Sequence, residues 1–206
     1  MVKNGRPRTH PEINEFRRRS LMEATIRSLA QHGAAKSSVR TISALTEGSR
    51  SLVAHYYEGK EGLLVQSFSY LLNKTRAAIE IAQSKPNISA RDRLKVRAEA
   101  VFTPPIFGRE SRLAFLAFWD CARYSQPLRD VHRQYYKEYR RSLRREFSDA
   151  AAAIPIDIDA DEAAVGLMAI IDGLWLELSL DEDMVSQRRA IALCSSYIDL
   201  RLTAQE

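Results

Sequence analysis

The chain has 206 residues, 45% of them hydrophobic and 28% charged, which suits a soluble all-helical or mixed protein with a sizeable core and excludes a disordered or fibrous chain. No stretch approaches the roughly 20 uninterrupted apolar residues of a membrane span, and the start MVKNGRPRTHPEINEF has no apolar segment to make it a secretory signal. The formal charge of +5 is unevenly placed: residues 1–62 hold 11 Lys/Arg against 6 Glu, while the remainder is balanced, so a cationic head on a neutral body is expected to meet a polyanion.

Residues 1–11 read as a flexible basic arm, because Pro7 and Pro11 oppose a helix start. The arm either reaches DNA or stays solvated. A first helix is predicted from about Glu12 to Gln31, with Leu21, Ala24, Ile26 and Leu29 on an apolar stripe and Gly33 as its stop. Arg17, Arg18 and Arg19 near its start are either a solvated face or phosphate contacts.

The stretch SSVRTISALTEGSRSLVAHYYEGKEGLL, residues 37–64, predicts a short helix, a turn at Glu47-Gly48, a second short helix capped by Ser49, and the start of a third. Leu52, Val53 and Tyr56 are expected to pack, leaving Arg50, Ser51, Ala54 and His55 outward. A helix entering a major groove needs this division. Lys60 and the free N–H groups beside it suit a backbone phosphate. Two small helices of an ordinary bundle would read the same way from spacing alone.

A long helix continues to about Gln83 and ends at Ser84-Lys85-Pro86-Asn87. Ser89 and Asp92 form a potential capping box for a helix to Phe102, and Thr103-Pro104-Pro105 breaks the chain. Residues 109–123 are the most aromatic helix. Pro127 is expected to turn the chain before a basic helix from Leu128 to about Ala153, whose charges read as a solvated face, and Pro155 to end it. Asp159 and Glu162 resemble another capping box, opening a helix so apolar that it is expected to be buried. The last helix is predicted from Met184 to about Leu202. Gly166, Ala169 and Gly173 favour close helix approach there. The count is nine helices and no convincing strand; the run Ile154–Ile158 is too short.

Residues 17–64, with their arginine start, VRTIS, the serine before the second short helix and HYYEGKEGLL, resemble the DNA-binding domain of the tetracycline-repressor (TetR) family. Two departures are Glu47 at the usual turn glycine and Ala54 where many members carry an aromatic residue. The patterns LAFWDCARYSQPLRDVH, YRRSLRREF and IDGLWLELSL are similar to the choline-responsive branch that represses glycine-betaine synthesis. The resemblance implies an all-α homodimer with a three-helix DNA-binding domain at 12–64. It further implies an effector-binding and dimerisation domain at 65–206, with the dimer made by the last two helices. The expected function is a cytoplasmic transcriptional repressor that binds an inverted-repeat operator in double-stranded DNA and is released by a small effector such as choline or another cation. Ser38, Arg40, Tyr56 and Lys60 are assigned mainly to phosphates and positioning, and Arg50 to a base edge or a nearby phosphate, with Ser51 and His55 behind it; His55 is alternatively a packing residue. Phe102, Phe115, Phe118, Trp119, Tyr139 and Trp175 are either effector-pocket walls or core.

No phosphate-binding glycine loop, dinucleotide fingerprint or zinc-protease motif is present, and His10, His32, His55 and His132 have no metal-ligand spacing. Neither metal nor other cofactor is expected. Cys121 and Cys194 lack C-x-x-C pairing, so free thiols in a reducing compartment are expected. A helical interaction module without DNA binding is the alternative, and a small helical enzyme a more distant one.

Overall fold

Most of these helices start where a short polar side chain can accept from the unpaired N–H groups of a first turn. The computed structural model describes residues 9–46, 50–154, 156–181 and 183–203. The residues of the basic arm before Thr9, the Glu47-Gly48 turn, the Ser49 cap and Pro155 lie outside the described residues, and of Arg50 only the backbone is described. Nine helices and no strand occur among them. Helix α1 is His10–Lys36, starting two residues before the expected Glu12. Thr9 caps it: its hydroxyl accepts from the Glu12 N–H at 3.4 Å, and the Glu12 carboxylate accepts from the Thr9 N–H at 3.0 Å. Pro11 fits the first turn, where its missing N–H has no partner to lose. Gly33 departs from helical geometry (φ 70°, ψ 176°), and the span merges across it to Lys36.

Helix α2 is Val39–Ser43 and α3 is Arg50–Tyr57. Ser38 caps α2, accepting from the Thr41 N–H at 3.2 Å while the Thr41 hydroxyl accepts from the Ser38 N–H at 2.8 Å. Leu21, Ala24, Ile42, Val53, Tyr57 and Leu63 bury together, with Met22, Val39, Leu45, Leu52 and Tyr56 packed around them. Directional bonds fix this cluster. The Tyr57 hydroxyl donates to the Arg18 carbonyl at 2.7 Å, and Arg27 donates to the Leu45 carbonyl at 3.3 Å. Burial pushes the Tyr57 phenol up to about 12, so it remains a donor at neutral pH. Helix α4, Lys60–Gln83, begins so close to α3 that a Cβ on Gly62 would lie 1.9 Å from the Tyr57 carbonyl oxygen.

The remaining helices are α5 (Ala90–Val101), α6 (Arg109–Tyr124), α7 (Gln126–Ala152), α8 (Ala160–Leu180) and α9 (Gln187–Arg201). Pro127 does not turn the chain before α7. It occupies the first turn, and Ser125 supplies the carbonyl that accepts from the Arg129 N–H at 3.1 Å. Helix α9 starts after Ser186, whose hydroxyl accepts from Arg189 N–H at 3.2 Å, rather than at Met184. The two expected capping boxes form by half: Ser89 and Asp159 cap, but the Asp92 carboxylate takes the Ser89 hydroxyl at 2.7 Å and Glu162 pairs with Arg201 at 3.4 Å.

Two compact units result. One comprises residues 1–71 with 113–131, the other 72–112 with 132–206. In the first, Phe68 stacks on Phe118 at 4.8 Å and meets Phe115 edge-on at 6.4 Å, while Ser125 donates to Glu61 at 2.7 Å. In the second, α8 is buried along one side only, through Ala163, Ala164, Leu167, Ile171, Trp175 and Leu178. Val165, Ala169, Gly173, Leu176 and Leu180 form an exposed stripe on the other, so the helix is core along one side and not all round. Of the described helices, α8 is the one long and apolar enough to cross a membrane by length and composition, and only a third of that window is buried. Gly166 accommodates Tyr197, whose hydroxyl would lie 2.0 Å from an added Cβ and donates to the Ala163 carbonyl at 3.3 Å.

The second unit also contains a buried ion pair, Arg97–Glu146, with both side chains under a tenth exposed. Glu146 further accepts from Gln83 at 3.2 Å, and Arg97 donates to Ser142 at 2.8 Å. Removing one partner leaves the other charge buried without compensation. Glu146→Ala is expected to destabilise the unit by about 3–5 kcal/mol, and Arg97→Met with Glu146→Leu by much less. Urea unfolding of the single and double variants checks this.

Candidate functional site

In the first unit, α3 buries Val53 and Tyr57 and exposes Ser51, Ala54 and His55. The buried residues recur four positions apart, with Leu52 and Tyr56 packed beside them, so Ser51, Ala54 and His55 face away. The expected base-edge residues Ser51 and His55 therefore share an exposed face. Arg40 on α2 and Lys60, the first residue of α4, are exposed as well. Two assigned residues are already engaged. The Ser38 hydroxyl accepts from Thr41, and the Tyr56 hydroxyl donates to Asn14 Oδ1 at 2.9 Å. The Arg18 guanidinium lies over the Tyr56 ring at 5.5 Å, and His55 meets that ring edge-on at 4.7 Å. Tyr56 thus holds the recognition-helix candidate to α1 and places two cationic or titratable groups beside it.

The six aromatic pocket candidates do not form one group. Phe115, Phe118 and Trp119 belong to the first unit, with Phe115 and Phe118 buried and Trp119 half-buried. Phe102, Tyr139 and Trp175 belong to the second. There Phe107 links two of them, lying 5.9 Å from Phe102 and 5.6 Å from Trp175 between ring centroids. Both are buried.

Tyr139 joins a different cluster. His132, Tyr135, Tyr136 and Tyr139 recur at i, i+3, i+4 and i+7 on α7, which sets their rings on one face. His132 stacks on Tyr136 at 4.1 Å, and the three tyrosine centroids lie 5.9–6.3 Å apart. Facing them, Asp172 of α8 accepts from the Tyr136 hydroxyl at 3.3 Å. Burial raises the Asp172 carboxyl to about 6, and this single hydrogen bond only partly opposes it. No cationic side chain pairs with Asp172 among the described residues. Burial pushes all three phenols upward, so they remain neutral; it lowers His132, which is then uncharged at neutral pH. The arrangement is a half-buried acid faced by neutral aromatic rings.

A cavity of about 430 Å³ in the same unit is lined by α4, α5 and α7, including Tyr135 and Tyr139 from that aromatic stripe. Its other walls carry Arg76, Arg93 and the Arg97–Glu146 pair. Of this set the sequence alone singled out Tyr139. The signal for the others was the aromatic spacing on α7 together with one acid, Asp172, inside the apolar run AIIDGLW. No cluster of three or more His, Cys, Asp or Glu side chains fit for a metal occurs among the described residues, and Cys121 and Cys194 are free.

The family model of the C-terminal region of BetI-type transcriptional repressors matches residues 90–203. The chain is 31% identical over 195 residues to the HTH-type transcriptional regulator BetI of Pseudomonas fluorescens, covering 94% of this chain and 97% of that protein. A crystal structure of a transcriptional regulator from Pseudomonas aeruginosa superposes with a TM-score of 0.82 at 32% identity, covering 93% of this chain and 91% of the other. A regulator from Saccharomonospora viridis, solved in complex with choline, shares the fold with a TM-score of 0.80 at 20% identity, covering 90% and 96%. With an exposed helix-turn-helix face in one unit and a ligand-sized cavity in the other, the chain belongs to the BetI-type branch of the TetR family, the dimer-forming, ligand-responsive transcriptional repressors.

Proposed function

We propose that the effector is a quaternary ammonium cation, with choline the first candidate, and that Asp172 and the α7 tyrosines receive it. The observation that carries this reading is the half-buried Asp172 carboxylate, which lacks a cationic partner and faces Tyr136. A methylated ammonium ion supplies the missing positive charge without needing hydrogen-bond acceptors, and tyrosine faces attract it through their quadrupoles. The choline bound by the Saccharomonospora viridis regulator supports the choice of class. Phe102, Phe115, Phe118, Trp119 and Trp175 serve packing in this reading, and Tyr139 lines the site.

Residues up to 64, from the Thr9 cap of α1 onward, act as the DNA-binding domain, residues 65–206 as the effector and dimerisation domain, and the residues before Thr9 as a basic arm. Ser51 and His55, with Arg50, read base edges. Arg40 and Lys60 hold phosphates, as does the Ser38 hydroxyl through its hydrogen. Tyr56 positions α3 through Asn14 and reaches a phosphate only by releasing that bond. Two such domains on a twofold axis read an inverted repeat with half-sites about 34 Å apart or a multiple of it. The exposed stripe of α8 and the exposed Leu193 and Leu200 of α9 form the dimer contact, since together they present apolar surface that a second copy would cover.

Three outcomes test this reading. Lys60→Ala should weaken binding to operator and random DNA alike and lower the salt slope by about one unit, whereas Arg50→Ala should remove roughly 1–3 kcal/mol of operator discrimination. Filter binding across a salt series separates the two. Replacing Ala169 and Leu193 by glutamate should yield a monomer by light scattering; an unchanged dimer mass would move the interface elsewhere.

For Asp172 the sign follows from its raised carboxyl. Proton binding favours the fold below about pH 4, and that contribution is lost as pH rises through about 6. Above pH 6 the unpaired charge opposes folding by roughly 2–3 kcal/mol. Asp172→Asn should therefore raise the melting temperature at pH 8 while abolishing release of operator by choline. Choline affinity of the natural chain should fall about tenfold from pH 8 to pH 5 as Asp172 protonates. Any slope left in the Asp172→Asn variant belongs to His132, and an unchanged choline response in that variant would remove Asp172 from the site.

A further inference from the structure

The cavity beside the tyrosine stripe contains two buried polar atoms that hydrogen-bond to nothing: the Tyr139 hydroxyl and Arg93 Nε. Both are donors, and a buried donor without an acceptor costs about 1–3 kcal/mol, so a natural fold keeps such atoms where something else satisfies them. Of the other guanidinium groups of this wall, Arg145 is exposed to water, and Arg76 and Arg97 have protein acceptors. Arg76 donates to Glu138 at 2.5 Å, and Arg97 is bound to Glu146. Arg93 has none among the described residues, which makes it the available cation of this half-buried surface. Glu80 and Asp149 also line the cavity, but both are exposed to water and need no partner there.

Tyr139 ties this cavity to the Asp172 cluster. Its ring lies 5.7 Å from the Arg97 guanidinium, and its phenol is within electrostatic range of both Arg97 and Asp172. Tyr135 is placed the same way, with Arg76 over its ring at 5.5 Å and Asp172 also within range. The tyrosines therefore have an acid without a cationic partner in reach on α8 and, on α5 in the wall of the same cavity, an arginine whose Nε lacks an acceptor. A ligand carrying only positive charge would satisfy Asp172 and leave Arg93 Nε and the Tyr139 hydroxyl without acceptors. We propose that the effector is a zwitterion, a small quaternary ammonium compound bearing a carboxylate, whose cation meets Asp172 and whose carboxylate accepts from Arg93 and Tyr139. This rests on the cation reading of Asp172 and narrows it: the tightest ligand carries an anion that choline lacks.

Titration calorimetry of the full-length dimer with tetramethylammonium, choline, glycine betaine and carnitine tests it, the last two differing in how far apart their charges lie. At least one zwitterion should bind tenfold or more tightly than choline. Arg93→Gln should bring that zwitterion to within threefold of choline while leaving choline and tetramethylammonium unchanged, with melting temperature confirming that the variant folds. Arg93→Lys, which restores a cation, should recover part of the preference. Choline binding as tightly as either zwitterion, or an Arg93→Gln loss equal for all four compounds, overturns the zwitterion assignment and leaves the cation reading standing. Failure of all four to bind overturns both.

Discussion

A carboxylate taken out of water without a cation sets the terms for the second unit. Two acids there show what the alternatives cost. Glu146 is buried, and the chain surrounds it with Arg97, Gln83 and Ser142. Asp172 is also largely withdrawn from solvent and receives one phenol at 3.3 Å. Desolvating an ion costs several kcal/mol, and one neutral hydrogen bond returns a fraction of that. The first acid is arranged for stability and the second is not. The difference cannot come from a shortage of arginine, because Arg76 and Arg97 stand on neighbouring helices and are tied instead to Glu138 and Glu146. With these guanidinium groups engaged elsewhere, Asp172 is left without a cation from its own chain, which is what the proposed ligand would supply.

The same residue lies on the helix that carries the exposed apolar stripe. Asp172 is followed directly by Gly173 of that stripe, so any rotation of α8 that adjusts the contact with a ligand also moves Ala169, Gly173 and Leu176. A ligand shifts a repressor only through differential affinity for two arrangements of the dimer. With the proposed effector contact and the proposed subunit contact on adjacent positions, α8 would supply such a difference locally. Helix α4 contributes to both units, giving Lys60 to the first and Arg76 to the second.

Helix starts were legible because caps are local chemistry: Ser38, Ser89 and Asp159 act within three residues of themselves. Pro127 was misread because proline breaks a helix interior but suits a first turn, and which of these applies depends on Ser125 before it. The outward face of α3 followed from spacing. The effector candidates did not. Large aromatic side chains attract attention in a sequence, yet Phe118 and Phe102 are fully buried, and packing against Phe68 and Phe107 accounts for them. Asp172 looked like an interruption of an apolar helix. Its partners stand about 36 residues earlier on α7, a separation that no local pattern spans.

Helix α8 shows why hydropathy alone misjudges such a segment. An apolar residue at nearly every position is compatible with a core, a bilayer or two protein surfaces at once. The small residues decide among them. Gly166 is explained inside the chain, where Tyr197 crosses it, whereas a Cβ on Gly173 would meet nothing within 4 Å and Ala169 is exposed. Small residues on an open face lower the barrier to close backbone approach by another helix, and a lipid surface makes no such demand. Glu162 and Glu177 bracket the stripe with charge that a bilayer interior would reject but the rim of a protein interface tolerates. One face of α8 is filled by this chain, and the other presents the small residues and rim charge that suit close approach by a second protein surface.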